Sequence, residues 1–189
     1  MNDLHRIVSS ESEELILVDH DDNEIGHRSK ADCHDGAGIL HRAFSLFLFN
    51  DEGELLLQQR SAEKRLWPGF WSNSCCSHPR RGESLPVATM RRLGDELNIS
   101  AKLEFVYHFC YEAKFGEAGS ENELCHVFLG RVDGEVQPND SEIESTRYVT
   151  ANSLDAELAE FPDRFTPWFK KEWLALRRTY AAQLAHYAI

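Results

Sequence analysis

Polar residues dominate the first fourteen positions, and hydrophobic order begins at Leu15-Ile16-Leu17-Val18, a run of the length and branching of a short strand. Residues 1–14 are therefore expected to form a flexible N-terminal segment ahead of a single domain over 15–189. The turn-forming string Asp19-His20-Asp21-Asp22-Asn23 closes that first strand, and residues 30–41, with Gly36 and Gly38, read as a loop. An apolar stretch over 43–49, interrupted by Ser45, and a second over 55–59 flank Asn50-Asp51-Glu52-Gly53, which predicts a hairpin. Residues 66–82 carry three aromatics, two prolines, two cysteines, Gly69 and Gly82, the composition of an ordered functional loop rather than a linker.

Periodicity changes at Ser84. Val87, Met90, Leu93 and Leu97 recur at helical spacing, Ser84 stands where a cap belongs and Pro86 suits an early helical position, so a helix is predicted over 84–97. Strands follow over 103–111, 124–132 and 146–149. Ser153 is placed to cap a short helix reaching residue 159, and Pro167 opens a longer one whose apolar side is Trp168, Phe169, Trp173, Leu176, Tyr180 and Leu184. Strands, a central helix, more strands and terminal helices make an α+β sandwich with mixed sheets.

Composition narrows the partners. The 189 residues carry 20 Lys+Arg against 32 Asp+Glu, a net charge of −12, which disfavours nucleic acid and anionic membrane surfaces. No segment has the run of about 18 to 20 apolar residues needed to span a bilayer. The N-terminus starts without a basic region or an apolar core, and the five cysteines have no framework spacing. A cytoplasmic protein with reduced thiols is expected. The size, and the lack of an interface pattern, predict a monomer.

Chemistry concentrates in three places. His34 and His41 lie seven residues apart around the Gly-containing loop, His78 follows Cys76 by two, and Glu121 and Glu123 share one side of an extended chain. Three imidazoles and two carboxylates would form a five-ligand site for Mg2+, Mn2+ or Zn2+, while spacing alone leaves surface or capping roles open to each histidine. Within Trp67-Pro68-Gly69-Phe70-Trp71-Ser72-Asn73-Ser74-Cys75-Cys76-Ser77-His78-Pro79, a thiol near a cation or metal could move protons. The alternative is that both cysteines are small buried residues. Adjacent residues of an extended chain point opposite ways, so one of the two is expected to face a site. The third is the helix that reads Glu83, seven residues, Arg91-Arg92-Leu93-Gly94-Asp95-Glu96-Leu97.

That helix resembles a degenerate Nudix box, in which Arg92 stands at a position where hydrolases of the family use a carboxylate. The whole set is similar to the type I isopentenyl-diphosphate isomerases: His34-x6-His41, Trp67-Pro68-Gly69, Asn73-Ser74-x-Cys76-x-His78-Pro79, Gly82-Glu83-Ser84, Arg91-Arg92, Glu96-Leu97, Glu121-Asn122-Glu123 and Pro167-Trp168. The resemblance runs from Leu15 to the C-terminal helix and implies a Nudix-like α/β/α sandwich. It implies interconversion of isopentenyl and dimethylallyl diphosphate through a tertiary carbocation, with Cys76 and Glu123 moving the protons. It also implies that Trp168 lies over the cationic carbon and Tyr111 beside the proton path. His34, His41, His78, Glu121 and Glu123 would hold one ion. Lys30, Arg60, Lys64 and Arg92 would bind the diphosphate of a small-molecule substrate, and Mg2+ would bridge it to Glu96 and the Cys76 carbonyl. Two other readings compete: a Nudix hydrolase of a nucleoside diphosphate derivative, and a catalytically silent metal-binding module. Cys33, Cys110, Cys125 and the other histidines, His108 and His126 among them, receive no role.

Overall fold

Strand β3 (His41–Phe49) is the axis of the fold, and its sequence shows why. Ala43, Phe47 and Phe49 project into one apolar cluster while Phe44, Leu46 and Leu48 project into another. A strand buried on both faces reads as an almost unbroken apolar run, as residues 43–49 do. The computed structural model describes residues 6–188. Around β3 are arranged β1 (Glu14–Val18), β2 (Glu24–Ser29), β4 (Leu55–Arg60), β5 (Trp71–Ser72), β6 (Cys75–Ser77), β7 (Leu103–Phe115), β8 (Gly119–Arg131) and β9 (Ile143–Val149). Hydrogen bonds link the nine strands into one branched sheet. β3 runs parallel to β8 and antiparallel to β1 and β6, which makes the sheet mixed.

Helices cover both faces. α2 (Leu85–Leu97) packs Ala88, Leu93 and Leu97 onto the Phe44, Leu46 and Leu48 side. α3 (Ala151–Glu160), α4 (Pro167–Arg178) and α5 (Ala181–Leu184) pack Leu154, Phe169, Trp173, Leu176 and Leu184 onto the other. The result is the expected α+β sandwich.

Several local expectations need correction. The turn after β3 is present, but β3 and β4 pair only at Phe49 and Leu55; β4 then leaves to pair with β5 and β9. Residues 30–34 form a one-turn helix, α1 (Lys30–His34), because the Ser29 hydroxyl accepts from the Asp32 amide. Ser84 occupies the cap position of α2 without a side-chain cap bond, and Thr150 rather than Ser153 caps α3. The last helix breaks at Thr179, so Tyr180 and Leu184 belong to a separate turn.

The largest difference concerns α2. Val87 and Met90 are exposed, at 57% and 45%, whereas Arg92 and Glu96 are buried. The buried face is chosen by an ion-pair network, which an apolar periodicity does not register. Part of that network is the chain before β1. Val8 is buried, its carbonyl accepts from Arg92 Nη1, and Arg6 pairs with Asp95 at 2.7 Å. Residues 6–13 thus lie on the body of the domain, and positions 1–5 of the expected flexible segment fall outside the described residues.

Candidate active site and metal centre

Strand register assembles the site. The β3–β8 pairing sets His41 beside Glu123, and the β7–β8 pairing sets Tyr111 on the other side of Glu123. One row across three strands therefore carries an imidazole, a carboxylate and a phenol. β6 pairs Cys76 with Ser45 of β3, and the chain continuing from β6 delivers His78. α1 supplies Lys30 and His34, residues four apart on one helical face. Gly119, at φ +143°, lets β8 pass α1: a Cβ there would meet the His34 carbonyl oxygen at 2.3 Å.

His34, His41, His78, Glu121 and Glu123 each turn a ligand atom into one space, all within 4.8 Å of one another. Two ligands on opposite sides of an ion with bonds of about 2.1 Å stand about 4.2 Å apart, so a contraction of a few tenths of an ångström would close the shell. His34 Nδ1 lies 2.7 Å from the Lys30 carbonyl and His41 Nδ1 lies 2.6 Å from that of Ile39. A carbonyl only accepts, so each Nδ1 carries the proton and each Nε2 offers its lone pair. His41 Nε2 and Glu121 Oε2 are buried without a well-formed hydrogen bond, their nearest groups being Glu123 Oε1 at 3.7 Å and His34 Nε2 at 2.9 Å. Such poorly paired atoms are costly in a folded interior, and a divalent ion satisfies both. The donor set, three nitrogens and two carboxylates, fits that role.

The electrostatics are those of groups pressed together. Burial works to lower His34, and the Glu121 carboxylate overrides it and holds the imidazole above its ordinary value. His78 is driven well below, by burial and then by His41 and His34. Burial pushes the Glu123 carboxyl up, but His41, Tyr111 and His34 together hold it below its ordinary value. Tyr111 donates its hydroxyl to Glu123 Oε2, and His78 Nε2 lies 2.7 Å from Glu123 Oε1.

The cleft above this cluster is lined by Cys76, Tyr111, Glu123 and Trp168, with Lys30, Arg60, Lys64 and Arg92 on its wall. Cys75 is fully buried against α2, so the adjacent thiols do face opposite ways and Cys76 is the one in the cleft. Burial pushes the Cys76 thiol up to about 12. Arg60 lies over the Trp168 ring, 5.2 Å from its centroid, donates to the Leu66 and Trp67 carbonyls, and brings Nη1 to 3.8 Å from Cys76 Sγ. The Trp168 indole packs edge-on against Trp67, and its Nε1 has no partner.

Two expected residues do not line the cleft. His41 forms the floor, with no exposure. Glu96 sits behind Arg92, whose Nη2 lies 2.6 Å from Glu96 Oε1. The structure also adds residues that the sequence did not mark. Glu142 pairs with Lys64 and lies 3.3 Å from Arg92 Nη2. Burial pushes it up, but Lys64 and Arg92 bring its carboxyl down to about 2. Ser9, Glu11 and Arg65 line the cleft as well. No spacing marks Glu142, which ends a polar loop; only its landing beside two cations identifies it. Glu83, at the helix entrance, is held by two bonds from Arg91 and accepts from the Arg80 amide.

The NUDIX domain family matches residues 39–169, more than half of the chain. Isopentenyl-diphosphate Delta-isomerase 1 of Photorhabdus laumondii is 40% identical over 174 residues, spanning 91% of this chain and 99% of that protein. The isopentenyl-diphosphate Delta-isomerase of Serratia proteamaculans is 45% identical over 157 residues, spanning 83% of this chain and 87% of its own. Among solved structures, DR0079 from Deinococcus radiodurans superposes with a TM-score of 0.64 at 24% identity, over 79% of this chain and 90% of that one. The MutT protein of Methanosarcina mazei gives 0.62 at 19%, over 75% and 95%. These two likenesses concern the fold alone.

Proposed function

This chain belongs to the NUDIX family and, within it, to the isopentenyl-diphosphate Delta-isomerases, and from that premise we infer how its cleft interconverts isopentenyl and dimethylallyl diphosphate in isoprenoid biosynthesis. The observation that carries the reading is the shared cleft: a thiol from β6 and a carboxylate from β8 open onto one space roofed by Trp168 and walled by four cations. The reaction adds a proton to the terminal methylene of an unactivated alkene, the π electrons forming the new C–H bond. A tertiary cation results. A proton then leaves the methylene next to the diphosphate-bearing carbon, and its bonding electrons become the new double bond.

Cys76 and Glu123 are the pair that exchanges these protons, each acting as acid in one direction and base in the other. Tyr111 holds one oxygen of Glu123 and connects it to the proton path. Trp168 faces the cationic carbon; the guanidinium already lying over its ring supports its capacity for a positive charge. Lys30, Arg60, Lys64 and Arg92 orient the diphosphate. Their carboxylate partners Glu11, Glu142 and Glu96 must yield them when it arrives. A divalent ion held by His34, His41, His78, Glu121 and Glu123 would tune the acidity of Glu123 when bound; Mg2+, Mn2+ and Zn2+ all suit the donors. Glu96 and the Cys76 carbonyl would hold the second ion expected, Mg2+, which would offset the diphosphate charge, and Glu96 would then turn away from Arg92. The site draws on a single chain, and the protein is proposed to act as a monomer. No helix among the described residues is long and apolar enough to cross a membrane, in keeping with a small-molecule reaction in the cytoplasm. A buried cation at Arg92, where hydrolysis would need a carboxylate, speaks against the hydrolase reading.

The test is incubation of the metal-supplemented protein with isopentenyl diphosphate in heavy water, followed by NMR. Deuterated dimethylallyl diphosphate is the expected product, and Cys76→Ala and Glu123→Gln should each lose about 10²- to 10⁴-fold in turnover with the fold intact. Wild-type rates in either variant overturn the assignment of the pair. Release of phosphate in place of the isomer would restore the hydrolase.

A further inference from the structure

A second cluster of metal-ligating side chains lies on the face of β7 and β8 opposite the cleft. His108 and His126 are direct cross-strand partners, their ring centroids 5.3 Å apart and their planes inclined by 28°. His126 is three residues from Glu123 and His108 three from Tyr111, and an odd offset along a strand turns a side chain to the other face. Onto this pair folds the turn between β1 and β2, bringing Asp22, which sits in the left-handed region at φ 64°. Asp22, His108 and His126 each offer a ligand atom within 4.8 Å of the other two.

A second observation points to a ligand. His126 is 7% exposed, and its Nε2 faces Asp22 Oδ2 at 3.0 Å as an ion-pair contact without good hydrogen-bond geometry. Two donors bound at about 2.1 Å and roughly at right angles stand about 3.0 Å apart. The other oxygen of Asp22 is committed: Arg42 Nε donates to Oδ1 at 2.7 Å, and Arg42 Nη2 to the Asp22 carbonyl at 2.7 Å. Oδ2 is thereby aimed at the imidazoles, as a hydrogen-bonded carboxylate aims its free oxygen at an ion.

We propose that Asp22, His108 and His126 form a second divalent-metal site, separate from the five-ligand cluster. Two imidazoles and one carboxylate select Zn2+ or a similar borderline transition ion over Mg2+ or Ca2+, which prefer all-oxygen shells. Three protein ligands leave a position for water. The Arg42 charge offsets that of Asp22, so this site fills after the five-ligand one, which has two carboxylates and no such offset within its shell. A bound ion ties the β1–β2 turn to the β7–β8 pair.

Titration of the metal-stripped full chain with Zn2+ alone, at neutral pH with a phosphine reductant, tests this. Wild type should bind two equivalents, the second more weakly. His108→Gln should lose the weaker equivalent and keep the tighter one, and Glu121→Gln should weaken the tighter one alone. His108 is exposed, so its replacement leaves the fold standing even if the buried His126→Gln does not fold. Cys110, exposed two residues along β7, should be replaceable by serine with both equivalents retained. One equivalent in wild type, two in His108→Gln, or loss of an equivalent in Cys110→Ser would each overturn the proposal.

Discussion

The floor of the cleft and its wall are both built from buried charge, and they are satisfied to different degrees. On the floor, three imidazoles and two carboxylates crowd together, and two of their ligand atoms lack a well-formed hydrogen bond. On the wall, every cation already has an oxygen: Arg92 has Glu96, Glu142 and the Val8 carbonyl, Lys64 has Glu142, and Lys30 has Glu11 and the Ser9 hydroxyl. The floor is short of a positive charge and holds its shape for one. Apart from Arg60, which has only backbone carbonyls, the wall is internally neutralised and takes an anion by exchanging carboxylates for phosphate oxygens. One region is a receptor for an ion, the other a set of spring-loaded partners.

Removing the ion should therefore give the largest effect. Chelation, or His41→Ala, is expected to bring isomerisation to background while circular dichroism still reports a folded chain; full turnover with no ion detectable would break the distinction between floor and wall. The next effect belongs to the wall. Arg92→Gln leaves the buried Glu96 and Glu142 facing each other without their shared cation, and removing one partner from a buried ionic cluster typically costs about 3–5 kcal/mol. Urea unfolding should show that loss, together with a raised KM for the diphosphate. A variant as stable as wild type would mean that the network relaxes and the wall is less rigidly coupled than its geometry indicates.

The floor was far more legible in the sequence than the wall, for physical reasons. Strands impose a period of two, so Glu121-Asn122-Glu123 already sets both carboxylates on one side, and Cys75-Cys76 already separates a core thiol from a cleft thiol. The wall depends on α2, where the apolar pattern put Val87 and Met90 inside; they are exposed, and Arg92 and Glu96 replace them because Glu142 and the chain around Val8 arrive to satisfy them. That compensation comes from distant segments and leaves no periodic trace. The same limit hid the separation of β3 from β4, since the turn residues at 50–53 specify a reversal and say nothing about which strand pairs next.

Another carboxyl sharpens the comparison because it has neither an ion nor a cation. Glu172, on α4, is fully buried beside the Cys125 thiol, and burial pushes it up to about 8 against the Ser45 and Cys125 hydrogen bonds. Its folded-state value exceeds the ordinary 4.5, so the folded protein holds a proton that the unfolded chain gives up between those values. Stability from this group is fully present below pH 4.5 and declines as pH rises through about 8, at up to about 1.4 kcal/mol per unit. Between pH 5 and 8 wild type should lose about 3 kcal/mol relative to Glu172→Gln, which carries no charge. Glu142 has the opposite sign: lowered from 4.5 to about 2, its contribution is present above 4.5 and fades as pH falls through 2. Parallel stability profiles for wild type and Glu172→Gln would show that this carboxyl has found a partner.

Trp168 spans both regions, one face toward Arg60 of the wall and its ring near Tyr111 of the floor, and its replacement should give the smallest change of those that reach catalysis. Its Nε1 has no hydrogen-bond partner, so Trp168→Phe removes ring area and no polar contact. Cation–π attraction is worth about 0.5–2 kcal/mol, and a smaller aromatic face keeps part of it, so kcat should fall by a few-fold, about tenfold at most. Trp168→Ala removes the face entirely and opens a cavity against Trp67, adding about 3–5 kcal/mol of lost stability to the catalytic defect. The comparison must therefore be made on kcat under conditions where both variants are folded. If Phe and Ala then lose equally, the ring contributes through packing and not through its π face.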